Sequence, residues 1–274
     1  EEVFPRAGSK PVTVLSLGGT FYQTLHHHSE FDDPEIIGKT LRFDVEEDFA
    51  ADTESQAICF QVVESADPGS HLMVHMVQRD LLSPVFSQME QAGLDALIAE
   101  PDLVVWQHYL RSQTRIPANQ TAVYIAWSEG IFYLLVLDGN QQFILGRSSL
   151  CTMTDQMASL VSAEISRSIA LLAEAQRPFA IYYHEEGLQQ VIGAVSRQTG
   201  LAAHPLADPD VNRAFALGAA SHWLAGPPFV DFRSDGMMPH TVAAEKDKAL
   251  VCLSGAVVCL FLVLMLVTSL FSLK

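Results

Sequence analysis

Three consecutive histidines, His26-His27-His28, and two more at His71 and His75 are the residues most suggestive of metal chemistry. Neutral imidazole is a common ligand for zinc and similar ions. The spacing argues against a ready-made site. The flanking residues read as strands, where neighbours alternate between faces, so only His26 and His28 share one. His71 and His75 lie four apart, about 13 Å along one strand face, too far to grip a single ion. A solvated strand end is the simpler reading. Ser16-Leu17-Gly18-Gly19-Thr20 is glycine-rich but lacks the Lys and following helix of a phosphate loop, and reads as a turn. Glu46-Glu47-Asp48 reads as a solvated charge run near a helix C-terminus, and Asn119-Gln120-Thr121 as a formal glycosylation triplet. No Gly-x-Ser-x-Gly elbow, Walker A or His-Glu-x-x-His pattern occurs in the sequence. Cys59 and Cys151 form no Cys-x-x-Cys pair and read as buried thiols of a reducing compartment.

The elements that hold these residues alternate between strand and helix. Val12–Leu17 reads as a strand, Gly18-Gly19 as a turn and Phe21–His26 as the hairpin partner. Asp32-Asp33-Pro34-Glu35 opens a helix that carries Ile36, Ile37, Leu41, Phe43, Val45 and Phe49. Ala57–Glu64 and His71–Gln78 are strands around the turn Asp67-Pro68-Gly69-Ser70. A helix over Asp80–Gln91, a short strand near Leu97–Ala99 and a helix over Asp102–Leu110 follow. The polar stretch Arg111–Gln120 is the best internal boundary. Beyond it come strands Thr121–Trp127, Ile131–Leu137 and Gln142–Ser148, with turns at Ser128-Glu129-Gly130 and Asp138-Gly139-Asn140. A long helix over Asp155–Ala175, strand Ala180–Tyr183 and helices Leu188–Thr199 and Asn212–Leu224 complete the half. Residues 226–248 read as an irregular connector. The order amounts to two α/β lobes.

A formal charge of −16 over 274 residues removes nucleic acid from the partner list, because phosphate contacts need a basic face. It equally disfavours lying flat on anionic lipid and suits a basic protein partner. The charge-free run Ala249–Phe271 would make roughly 34 Å of helix, enough for a hydrocarbon core of about 30 Å, and reads as a transmembrane helix. Cys252 and Cys259 lie inside it. The sequence opens Glu1-Glu2-Val3-Phe4 without Met or a signal-peptide pattern, a start that leaves both processing and a lost leading segment open.

The second half resembles the actin-like proteins of the type IV pilus platform (PilM) and of the type II secretion platform, the cytoplasmic L component (GspL). The resemblance is carried by Ala163-Glu164-Ile165-Ser166-Arg167-Ser168-Ile169, similar to the family's E-I-x-R-S-L helix, and by Phe143-Ile144-Leu145-Gly146-Arg147 ahead of it. Ala180-Ile181-Tyr182-Tyr183 looks like the strand before the adenosine loop, and Ala214-Phe215-Ala216-Leu217-Gly218-Ala219-Ala220 like the closing A-x-x-G-x-A helix. In the first half Val12–Ser16 and Glu35–Phe49 resemble the strand and helix leading into the small inserted subdomain, and Gln88–Leu94 resembles the helix end just before the hinge. The resemblance implies an α/β, actin-like (ribonuclease H-like), two-lobed domain with a small inserted subdomain, followed by one transmembrane helix. Residues 1–115 would be the first lobe with its insertion but without its first hairpin, 116–225 the second lobe, 226–248 the linker and 249–271 the span.

The departures from the family pattern bear on function. An actin-like ATPase grips phosphate in two β-hairpins, one carrying an Asp that helps place Mg²⁺ and water. The first would precede Val12 and is not in this sequence. The second falls at Ala126-Trp127-Ser128-Glu129-Gly130, where Asp-x-Gly has become Ala-Trp-Ser and Trp127 is bulky where backbone must approach phosphate. The adenosine loop, usually Gly-Gly, is Glu185-Glu186-Gly187, which sets two carboxylates beside an anion site. Ser128, Glu129, Gly130, Glu185, Glu186 and Gly187 are thus expected to be a vestigial nucleotide site, with no cofactor, no metal and no productive ATP hydrolysis. The expected function is a non-catalytic adaptor at the bacterial inner membrane, its bulk cytoplasmic. It would couple a secretion or pilus motor ATPase to membrane platform proteins through the terminal helix, with room for a homodimer. The fused helix favours the secretion-type protein. Two other readings stand beside it: a working actin-like ATP-binding protein whose first phosphate loop is missing from this sequence, and an extracytoplasmic domain of a signal-cleaved, single-pass protein.

Overall fold

The computed structural model describes residues 12–237, apart from 50–51, 66–67, 114–115, 118–119, 141, 153–155, 209 and 228–229. The expected span Ala249–Phe271 lies outside the described residues, and among those described no helix is long and apolar enough to cross a membrane.

In the first half, β1 (Thr13–Leu17) pairs in parallel with β5 (Ala96–Pro101). A separate antiparallel sheet has the order β2-β4-β3, from β2 (Tyr22–Ser29), β3 (Gln56–Ser65) and β4 (Ser70–Gln78). The expected hairpin between Val12–Leu17 and Phe21–His26 is therefore corrected. The Gly18 turn closes (Phe21 N donates to Gly18 O, 2.9 Å), but β2 departs into the other sheet and pairs with β4. A turn signal fixes a reversal, not the partner of the strand that follows it.

Helix α1 (Pro34–Phe49) covers one face of that small sheet. Asp33 starts it, its side chain accepting from Glu35 N at 2.8 Å, and Pro34 loses nothing at a first-turn position whose N–H has no helical partner. Ile37, Leu41 and Val45 recur every fourth residue and bury against Ile58, Leu72, Val74 and Met76. Helices α2 (Arg79–Gln91) and α3 (Asp102–Gln113) flank β5.

The second half is one sheet of order β10-β9-β6-β7-β8. Strands β6 (Thr121–Ser128), β7 (Ile131–Asp138) and β8 (Phe143–Leu150) form an antiparallel meander, while β9 (Pro178–Tyr183) and β10 (Ala202–Pro205) add parallel to β6. Ala122, Tyr124 and Ala126 face α3 and α6 (Val211–Ala225), whereas Val123 and Ile125 face α4 (Met157–Ala170) and α5 (Ile192–Thr199). Burial on both faces is why β6 and β7 read as unbroken apolar runs. Where α6 crosses α3, a Cβ on Gly218 would overlap the Val105 carbonyl, so only glycine permits the approach.

Three helix or strand assignments need correction. The long helix expected over Asp155–Ala175 ends at Ala170 and is followed by a 3-10 turn, Glu174–Gln176. The helix expected from Leu188 begins at Ile192, after a turn closed by Leu188 N and Gln189 N donating to Glu185 O. Ala202–Pro205, assigned no element, is the edge strand β10; four residues carry too little pattern to read. Finally, residues 230–237, read as the start of a connector, are folded onto the first lobe. Val230 and Phe232 are buried with Leu82, Phe86 and Val104. Arg233 lies over the Phe86 ring (4.3 Å) and donates to Ala96 O, while Asp235 pairs with Arg42 and Arg79.

Candidate functional site

Parallel strands β6 and β9 end side by side, and the segments expected to form a vestigial nucleotide site lie just beyond those ends, where open α/β sheets place ligands. Ser128 closes β6 opposite Ile131, with Glu129 (φ +50°) and Gly130 (φ +83°) as the two turn residues. Two consecutive positive φ values are the signature of a tight hairpin turn. Glu129 is the one non-glycine residue with positive φ among the described residues. Ser128 Oγ accepts from Asn212 Nδ2 at 2.9 Å, tying this turn to the first turn of α6, which Asp210 caps by accepting from Asn212 N at 2.8 Å.

Glu185, Glu186 and Gly187 follow β9. Gly187 has φ +74°, and a Cβ there would collide with the Trp127 indole. Trp127 donates its Nε1–H to Cys151 O at 2.7 Å. Trp127 thus packs against Gly187 and brings the two expected segments together. The indole occupies the space between the turns, and the glycine is there to make room for it. Gly187→Ala is expected to destabilise the fold by about 1–3 kcal/mol, combining overpacking with a left-handed φ, and to shift tryptophan emission. A melt unchanged within about 0.5 kcal/mol would contradict this packing.

Immediately upstream, His184 is fully buried. Its Nε2 accepts from Trp106 Nε1 (3.0 Å) and its Nδ1 lies 2.6 Å from Asp208 O. Indole only donates and a carbonyl only accepts, which fixes the proton on Nδ1. Burial is the main influence pushing the His184 pKa down, so the ring stays neutral.

A cavity of about 980 Å³ opens between the lobes, lined on one side by β1 and the Gly18 turn and on the other by Glu129, Tyr133 and α6 residues Phe215, Ala219 and Trp223. Its only ionisable acid or base groups besides Tyr133 are the carboxyls of Asp102 and Glu129. Asp102, the first residue of α3, is buried and accepts from Gly19 N at 2.7 Å and from the Tyr22 hydroxyl. Burial lifts its pKa to about 6, opposed by the hydrogen bonds from Tyr22, Gly19, Leu103 and Tyr133. The Tyr133 phenol is held well above its ordinary range, by burial first and then by Asp102. Ser148 Oγ donates to Gly19 O at 2.9 Å, and a Cβ on Gly19 would overlap Ser148. The glycine-rich turn is therefore a joint between lobes. Its N–H, the kind of group a phosphate would need, already serves an internal carboxylate.

Asp102 was noted in the sequence only as a helix start. The signal was an Asp set between two apolar runs, a place where a buried carboxyl needs partners from elsewhere in the chain. A second buried acid, Glu100, has its Oε1 2.8 Å from Nδ1 of His222, which stacks on His108 with ring centres 3.6 Å apart. Burial drives His108 to a pKa of about 3. Nothing in the sequence linked these residues. Among the described residues, no three His, Cys, Asp or Glu side chains converge on one point as a formed metal centre does.

No family model and no curated protein matches the sequence. Solved structures do match. The PilM-PilN type IV pilus biogenesis complex is similar at 13% identity and a TM-score of 0.59, over 73% of this chain and 75% of that one. The cytoplasmic domain of EpsL, an inner-membrane component of the type II secretion system of Vibrio cholerae, is similar at 13% identity and a TM-score of 0.50, over 79% of this chain and 76% of that one. A Bacteroides thetaiotaomicron protein described as having an actin-like ATPase fold and unknown function is similar at 9% identity and a TM-score of 0.48, over 76% and 74%. The chain has a mixed α/β, actin-like fold similar to those of PilM and cytoplasmic EpsL.

Proposed function

We propose that this chain is a non-catalytic adaptor of a type II secretion or type IV pilus machine, holding a cytoplasmic motor ATPase to inner-membrane partners. The observation that carries the non-catalytic part is the inter-lobe cleft. Its charged groups are carboxyls, Asp102 and Glu129, and the Gly19 N–H is already bound to Asp102. A nucleotide triphosphate brings several negative charges and needs donors and cations that these lining residues do not supply. Beside the cleft, Trp127 fills the gap between the two turns at 128–130 and 185–187. The fold likeness to PilM and cytoplasmic EpsL supports the secretion or pilus setting.

On this reading residues 1–115 and 116–225 are the two lobes, 226–248 the connector with its stretch 230–237 docked on the first lobe, and Ala249–Phe271 the anchor, with the domain on the cytoplasmic side. Residues 230–237 sit on the first lobe, and this reading puts that lobe nearest the membrane. The second lobe is left facing the cytoplasm, where a motor would reach it. A platform protein like the one in the PilM-PilN complex is the membrane-side partner.

The test titrates Mg-ATP into the protein by calorimetry. No saturable heat is expected up to about 1 mM, equivalent to binding weaker than roughly 4 kcal/mol. In parallel, the immobilised domain is expected to retain the motor ATPase with a dissociation constant on the order of micromolar. Stoichiometric ATP binding with turnover would sink the non-catalytic reading. Failure to retain the motor at tens of micromolar would sink the adaptor reading, and cleavage of the domain by protease added outside spheroplasts would sink the cytoplasmic placement.

A further inference from the structure

The small three-stranded sheet turns one face toward the second lobe, and that face carries a ladder of imidazoles. In the β2–β4 register Thr24 lies opposite His75, His26 opposite Met73 and His28 opposite His71. Directly paired residues share a face, so His26, His28, His71 and His75 all point the same way, while His27 points to the other side near Asp44 (4.0 Å). His75 is the buried end of the ladder. Its Nδ1 lies 3.1 Å from Thr24 Oγ1, and burial brings its pKa to about 3, so it is a neutral structural group.

The other end is open. His28 and His71 are exposed, with ring centres 5.0 Å apart and planes inclined by 49°. Two imidazoles bound to one tetrahedral ion at about 2.1 Å place their ring centres roughly 5 Å apart. The third strand adds a carboxylate. Val62 pairs with Leu72, but a register shift follows and Glu64 pairs with His71. Without the shift Glu64 would share the α1-facing side with Val62; the bulge re-aims it onto the imidazole face. Glu64, His71 and His28 therefore form a row across three strands, and all three line the groove of about 820 Å³ between this sheet and β8. Arg147 lines the same groove and pairs with Glu164 at 3.3 Å. Glu64 sets a carboxylate at the His28–His71 end of the groove, which favours a cation there.

The geometry points to a divalent transition-metal site, for zinc, nickel or copper(II), built on the His28–His71 pair. Nitrogen ligands and a carboxylate suit these ions rather than magnesium or calcium. No three ligands already converge among the described residues, so the imidazole pair is the anchor, water completes the coordination and Glu64 balances charge. A bound ion would pin the edge strand β2 to β4 near their Ser29–Ser70 end. The site is independent of the inter-lobe cleft and of the adaptor reading.

The test titrates Zn²⁺ into the whole metal-free protein by calorimetry and follows its thermal midpoint with and without the ion. One saturable site per chain is expected, with a higher midpoint when zinc is present. His28→Ala and His71→Ala should each weaken binding at least tenfold and abolish the zinc-dependent shift. Glu64→Gln should weaken it several-fold, and His204→Ala, at an exposed histidine of the other lobe, should leave it unchanged. Should an alanine variant lose its cooperative melt, His28→Gln and His71→Gln keep a polar side chain at the surface and carry the same expectation. Absence of saturable binding, or binding that survives loss of both His28 and His71, overturns the site.

Discussion

Trp106→Ala is expected to cost about 3–5 kcal/mol of folding free energy, from loss of a fully buried indole and the cavity it leaves. The indole meets Tyr133 and Phe215 edge-on, at 6.5 and 6.3 Å between ring centres, so it bridges α3, β7 and α6. Deletion also strands His184 Nε2, a buried acceptor with the indole N–H as its partner, and an orphaned polar atom costs about 1–3 kcal/mol by itself. Trp106→Phe separates the two effects. It keeps most of the apolar volume and loses only the donor, so about 1–3 kcal/mol is expected. His184 leads directly into Glu185-Glu186-Gly187, so both variants should also disturb the seat of Trp127 on Gly187 and change its emission. Urea melts of the two variants provide the measurement. A Trp106→Ala loss below about 1.5 kcal/mol, or a Phe variant as damaging as the alanine one, would contradict this arrangement.

Much of the fold was legible because local chemistry repeats. Asp33-Pro34 followed by Ile37, Leu41 and Val45 announces α1, and the apolar runs of β6 and β7 announce strands buried on both faces. Pairing was less legible. Nothing between Leu17 and Tyr22 says that the next strand joins β4 rather than β1, because the choice is set by contacts with residues some fifty positions away. The register shift that turns Glu64 toward His71 is equally silent in sequence, since a bulge changes a side chain's face without changing strand propensity. Residues 230–237 looked like connector because only three large apolar residues, Val230, Phe232 and Met237, interrupt the polar run. Yet Arg233 and Asp235 are held by partners far back in the chain.

The candidate site divides the same way. The turns 128–130 and 185–187 were found from resemblance, and the structure sets them at neighbouring strand ends. Trp127 was read as an obstacle to phosphate, but its partner Gly187 was not foreseen, because the contact joins residues sixty apart. The part Asp102 plays beyond starting a helix went unnoticed for a related reason. Its partners Gly19 and Tyr22 come from the other end of the first lobe, and a buried carboxyl is recognisable only once its donors are in place.

That carboxyl leads to the second large effect, a pH-dependent stability that Asp102→Asn should remove. Asp102 has an ordinary pKa of 3.8 in the unfolded chain and about 6 in the folded one, because burial outweighs its hydrogen bonds. The folded protein therefore holds the proton more tightly. Between about pH 4 and 6 it binds more protons than the unfolded chain, so stability from this group falls as pH rises. The contribution is fully present below pH 4 and lost above pH 6. A shift of about two pH units is worth at most roughly 3 kcal/mol. Asp231, also raised by burial, bends the wild-type profile in the same sense, so the difference between wild type and Asp102→Asn is the informative quantity. That difference should change by up to about 3 kcal/mol between pH 4 and 7, the variant gaining relative to wild type as pH rises. Asparagine can still accept from Gly19 N, so the comparison leaves the turn seated. Denaturant melts at closely spaced pH values measure it, and a difference that is flat across this range would assign the buried charge elsewhere. At neutral pH the carboxyl lies above its folded pKa and is ionised. The same group that weakens the fold then also sets a negative charge against the cleft, where an incoming phosphate would meet it.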